Sequence, residues 1–156
     1  MKKRFFSLVC CFILIWGIST MSVSATSVYT PNHSLSANQN IEYFEDGSYV
    51  ITEWDTTAAS TRTLASKTKK STYYSSNDVA IFAVSLTGEF TYTYGTSAKA
   101  TGQSVSVSIY DDSTTYVTKS SSRSGATVYG SGTVCYQGVN RTLSLQMTCS
   151  IYGYIS

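Results

Sequence analysis

The chain has 156 residues, with 13 tyrosines, four cysteines, a single proline and only 13% charged residues. Its formal charge of +2 rests on Lys2, Lys3 and Arg4. Without that cluster eight basic residues face nine acidic ones, which excludes the cationic field that drives sequence-independent binding to nucleic acid or anionic membrane.

The amino-terminal stretch reads as a targeting segment. Lys2, Lys3 and Arg4 form a basic n-region, "FFSLVCCFILIWGI" is an apolar h-region, and "SVSA" places small residues ahead of a cut between Ala25 and Thr26. The apolar run is short for a membrane span, which needs about 20 residues. Residues 1–25 are therefore expected to be a cleaved signal peptide, leaving no stable membrane anchor and placing the mature protein outside the cell. Cys10 and Cys11 leave with it, so Cys135 and Cys149 are the cysteines of the mature chain. Two cysteines do not make a disulfide scaffold. Residues 26–40 hold the proline and few large apolar side chains, and read as a flexible polar leader. Residues 41–156 then form one domain.

Within that domain Ser, Thr, Tyr and Val are abundant and long helical periodicity is absent, which favours strands. In "IEYFEDGSYVITEW" the pair Asp46-Gly47 suits a two-residue type I′ turn. Such a turn sets Phe44 opposite Tyr49, Tyr43 opposite Val50 and Glu42 opposite Ile51. Thr61–Tyr74 reads as one exposed strand. Asp78–Tyr94 puts Phe82, Val84, Leu86, Phe90, Tyr92 and Tyr94 on one face, and its excessive length predicts a break at Gly88. "SVSVSIYDDSTTYVTKSSS" alternates serine with Val105, Val107 and Ile109, a pattern that could face lipid or another sheet. Its regular arm covers only about seven residues against the 9–11 a lipid-facing strand needs, so its apolar side is assigned to a sandwich core. Ala126–Gln137 and Thr142–Tyr154 complete seven or eight strands, the second pointing Leu143, Leu145, Met147, Cys149 and Ile151 inward. The expected fold is all-β, an immunoglobulin-like antiparallel sandwich. A two-residue turn at Gly138-Val139 pairs Cys135 with Thr142 and Cys149 with Val128. The cysteines then lie about 23 Å apart along the strand, too far for a disulfide.

Chemistry-bearing motifs are sparse. His33, the single histidine, lies in the leader, and no Cys/His or Ser/His pair and no zinc-type cluster falls on the domain. No cofactor motif is present. Asp111 and Asp112 are weak calcium candidates, and their adjacency in a Ser/Thr loop fits a turn better. "NHS" at Asn32 and "NRT" at Asn140 match the glycosylation sequon. The first hairpin is more informative. In the two-residue register Glu42, Phe44, Tyr49 and Glu53 share a face opposite a core-like one, and aromatics flanked by carboxylates suit a sugar or an extended peptide. The expected function is therefore a secreted, non-catalytic module that binds a cell-surface glycan, a wall component or a protein partner. The alternatives are a small hydrolase using Glu42 and Glu53 as a carboxylate pair and a membrane-active toxin or bacteriocin.

The segments "TKKSTYYSSNDVAIFAVSLTGEFTYTYGTSAKATGQSVSVSIYDD", "SSSRSGATVYGSGTVCYQG" and "LSLQMTCS" resemble a family of small secreted proteins from gut-dwelling Gram-positive bacteria. The resemblance covers most of the chain after Thr61 and lies in spacing and Ser/Thr/Tyr texture. It implies an exported β-sandwich and carries no functional residues with it.

Overall fold

A computed structural model describes residues 36–55, 59–60 and 63–156. The signal segment, most of the leader, His33 and Asn32 lie outside them. The described chain forms nine antiparallel strands in two sheets: β1 (Gln39–Tyr43), β2 (Tyr49–Trp54), β3 (Ala59–Ser60), β4 (Leu64–Tyr74), β5 (Ala80–Thr93), β6 (Ser97–Ile109), β7 (Thr115–Ser124), β8 (Thr127–Tyr136) and β9 (Val139–Thr148). The larger sheet runs β1-β2-β4-β5-β6 with β3 beside β4, and the smaller runs β7-β8-β9. The sandwich reading holds. Its connectivity is a meander, however, with none of the Greek-key exchanges of an immunoglobulin domain among the described strands.

The core lies between the sheets and follows from simple alternation. Phe82, Val84, Leu86 and Phe90 of β5 face Val128 and Val134 of β8 and Leu143, Leu145 and Met147 of β9. The sheets come close enough to require glycine. A Cβ on Gly130 would stand 2.4 Å from Val105 Cγ2, and one on Gly132 would stand 2.6 Å from Val107 Cγ2. Gly88 plays the same part, because a Cβ there would stand 2.9 Å from Val128 Cγ2 of the facing sheet and 2.8 Å from the Phe90 ring of its own strand. The expected break at Gly88 is absent: β5 is one strand of 14 residues, and the irregularity falls between Glu89 and Phe90, opposite β6. A strand this long survives because β4 and β6 pair with it along almost its whole length.

The segment from Ser104 to Ser122 is an arch rather than a hairpin. β6 belongs to the larger sheet and β7 to the smaller, so the two arms do not pair with one another. Val105 and Val107 pack against the core while Ser104, Ser106 and Ser108 are exposed. The strands are longer than expected, with 13 residues in β6 and 10 in β7; the valines point inward as expected, whereas Ile109, placed on the same side, is exposed. Arg123 ties the arms together, Nη1 donating to Thr101 O at 2.9 Å and Gln103 Oε1 at 3.0 Å. Two other expectations change. β4 is an interior strand, between β2 and β5, rather than an exposed one, and β1 begins at Gln39, inside the expected leader.

Both hairpin registers differ from expectation, with different consequences. The β1–β2 loop has three residues, Glu45-Asp46-Gly47, closed by Phe44 N donating to Ser48 O at 2.9 Å. Gly47 alone takes a left-handed φ of 79°. Asp46 keeps an ordinary backbone and turns its Oδ1 to accept from Ser48 N at 3.0 Å and from Ser48 Oγ. That local bonding favours a type I turn with a bulge at Gly47 over the two-residue turn. Tyr43 consequently pairs with Tyr49 and Glu42 with Val50, an odd shift that exchanges faces. The β8–β9 turn is Gln137-Gly138, both at positive φ, because β-branched Val139 resists that region. Cys135 then lies opposite Asn140 and Val128 opposite Met147. This shift of two residues preserves every face. Cys135 is half-buried and Cys149 buried, both as free thiols, and burial pushes the Cys149 thiol up.

Candidate functional site

The new register divides the four residues expected to form a ligand surface. Glu42 and Phe44 fall on the side of Val50 and Tyr73, and Tyr49 and Glu53 on the opposite side. Tyr49 is 1% exposed. Its ring stacks on Tyr74 at 4.9 Å and lies 5.6 Å from Tyr43, and its hydroxyl donates to Asp78 Oδ1 at 3.1 Å. Burial and that carboxylate raise its pKa. It is a structural residue. Phe44, 40% exposed, rests 6.2 Å from the Tyr73 ring. Glu53 accepts from Gln39 Nε2 at 3.2 Å and pairs with Lys70 at 3.5 Å, at the rim of a shallow groove between Tyr74 and Tyr110. Glu42 and Glu53, on opposite faces of the sheet, cannot flank one bond as acid and base.

Asp111 is occupied by its own turn. Its Oδ2 accepts from Ser113 Oγ and, at 2.8 Å, from Thr114 Oγ1, and these hydroxyls hold its carboxyl below the usual range. Asp112 adds no further ligand to it, and no group of three His, Cys, Asp or Glu side chains comes together among the described residues. Asn140 is exposed at the start of β9.

The most distinctive surface is one that strand periodicity does not reveal. Two glycine turns meet at one end of the sandwich: Tyr94-Gly95-Thr96 between β5 and β6, and the carboxy-terminal turn Ser150–Tyr154. Gly95 N donates to Ile151 O at 3.0 Å, joining them. The second turn is closed by Ser150 N to Tyr154 O at 2.8 Å and held back by the Cys149–Ile155 bridge. Gly153, at φ 81°, sits on the face of Tyr92, where a Cβ would come within 2.5 Å of Cζ. Any side chain there would both strain the backbone and strike the ring. So anchored, the turns display Tyr94, Tyr152 and Tyr154 with exposures of 74%, 47% and 76%. Tyr94 and Tyr152 meet edge to face at 5.2 Å.

No protein-family model, curated protein or solved structure matches the chain. Three exposed phenols on interlocked turns offer apolar ring faces, polar tips and little freedom to lose on binding, a combination suited to recognition. The signal in the sequence was the pair "YTYG" and "YGY", in which tyrosines flank a glycine. Reading Tyr94 and Ile151–Tyr154 as strand continuations concealed it. Ile151, expected to point inward, lies in the turn and is exposed.

Proposed function

We propose that the chain is exported, cleaved near Ala25, and acts outside a Gram-positive cell as a non-catalytic module that binds a surface or wall glycan at its tyrosine-rich end. The observation supporting this reading is the display of Tyr94, Tyr152 and Tyr154 by two turns hydrogen-bonded to each other. Ring faces stack on the C–H surfaces of sugars while phenol hydroxyls exchange hydrogen bonds with sugar hydroxyls. The preceding Lys2–Arg4 cluster and apolar run support export.

Binding to purified wall polysaccharide, measured by sedimentation and calorimetry, tests the site. Tyr152→Ala/Tyr154→Ala should keep the thermal midpoint of the parent, since both rings are solvent-facing, and lose about tenfold or more in affinity, as expected of aromatic anchors. Unchanged binding in that variant would refute the assignment. Liposome leakage by the wild-type protein would point instead to a membrane-active role. Amino-terminal sequencing of secreted protein should start near Thr26.

A further inference from the structure

The larger sheet is wider than the smaller one. β9 covers β4 and β5, and the backbone of the smaller sheet does not extend over β1 or β2. The overhang and the edge of β9 bound a cleft of about 460 Å³ lined by Asn40, Thr52, Trp54, Lys69, Ser144 and Gln146. Lys69 Nζ lies 4.5 Å from the centre of the Trp54 ring, and Lys67 Nζ lies 4.3 Å from the same point. The two charges can be no farther apart than those distances combined.

Neither ammonium takes part in an ion pair among the described residues. The ion pairs among the described residues are Lys70–Glu53 and Arg141–Asp46. Each ammonium donates to one carbonyl, Lys67 to Ile155 O at 3.5 Å and Lys69 to Gln146 O at 3.3 Å. An ammonium has three donors. Burial and the charge of Lys67 make Lys69 easier to deprotonate than an ordinary lysine. Trp54 offsets part of this cost through its ring face, and an anion entering the cleft would offset the rest.

We propose that the cleft binds a phosphate group carried on a sugar or polyol. Lys69 makes the primary contact, Lys67 strengthens the positive field, and Thr52 and Asn40 supply hydroxyl and amide partners to the carrier. Phosphate fits better than carboxylate because an ammonium acts as a point charge toward a tetrahedral oxyanion, whereas a planar carboxylate is best matched by an arginine fork. A single cationic locus on a near-neutral domain does not track a nucleic-acid backbone. The phosphate site itself does not depend on the tyrosine reading.

Trp54 is the natural reporter, since Trp16 is the other tryptophan and Trp16→Phe in the full chain leaves a single indole. At low salt, inorganic phosphate and glycerol phosphate should each change Trp54 emission saturably, with dissociation constants of millimolar or tighter. A phosphodiester-linked polyol polymer should bind at least tenfold tighter if the natural source is a polymer; equal binding of monomer and polymer assigns the site to free phosphate esters. Lys67→Gln/Lys69→Gln should weaken binding at least tenfold at an unchanged thermal midpoint. Should that variant be unstable, amide chemical shifts of the wild-type chain decide: phosphate must move Trp54, Lys69 and Gln146 together. Tyr152→Ala should leave the small-phosphate titrations unmoved, which separates failure of this site from failure of the tyrosine end. Absence of a saturable response, shift changes centred elsewhere, or tighter binding of acetate or single-stranded DNA than of phosphate would overturn the proposal.

Discussion

Tyr49 and Phe44 show how little the chemical character of a residue says about its role without the register. Both are aromatic and flank one turn, and the sequence pattern alone gives both the character of a contact surface. Tyr49 instead closes a ladder with Tyr43 and Tyr74 and anchors to Asp78. Phe44 lies over Tyr73 at the rim of the core. Truncation separates them. Tyr49→Ala should cost about 3–5 kcal/mol, the range for a fully buried aromatic. Phe44→Ala, losing only partial burial, should cost about 1–2 kcal/mol by apolar area. Urea unfolding of the two variants measures the difference, and equal losses would contradict the packing described.

At the scale of the element, the β1–β2 hairpin is held by a turn whose chemistry depends on pH. Ser48 donates to Asp46 from its hydroxyl and its backbone, and Arg141 of β9 reaches the same carboxylate at 3.2 Å. Those bonds hold the Asp46 pKa below its ordinary value, with Ser48 the main cause. A carboxylate with a lowered folded-state pKa contributes stability that is present above the unfolded value. That contribution disappears as pH falls through the folded value. Asp46→Asn should therefore be less stable than wild type at pH 6, and the gap should close as pH drops below about 4. Denaturant midpoints for the two proteins at pH 6 and pH 3 provide the check. A gap that stays constant would mean that the Asp46 charge does not matter to the hairpin.

At the scale of the whole molecule, the sandwich closes through glycine. Gly130 and Gly132 sit on β8 where Val105, Val107, Leu86 and Val84 press toward the smaller sheet. An added methyl must push a β-branched or γ-branched side chain that is already packed. Gly130→Ala and Gly132→Ala should each destabilise by about 1–3 kcal/mol, the range for overpacking a tight core. Thermal melts of the single variants test this, and a neutral result at both would mean that the sheets have room to part. Gly125→Ala, with nothing within 4 Å but a φ of 57°, is the matching control for backbone strain without a clash.

Period-two alternation was enough to determine the all-β class, the inward faces of β5 and β9 and the inward side of Val105 and Val107 on β6, because a buried strand must place its apolar residues on one side. The inward face of β9 survived even a wrong turn, since an error of two residues leaves every side chain facing the same way. The first hairpin had no such protection. Its choice between a two- and a three-residue loop rested on Asp46 bonding to Ser48, and one residue of slip moved Glu42 and Phe44 away from Tyr49 and Glu53. Only the tertiary structure decided that β6 and β7 belong to different sheets, since the partner of a strand is chosen by long-range packing that local pattern does not encode. The same is true of both proposed sites. Tyr94 and Tyr152 lie far apart in the chain and meet because two turns are hydrogen-bonded at one end of the sandwich; Trp54 and Gln146 come together because two sheets of unequal width pack face to face.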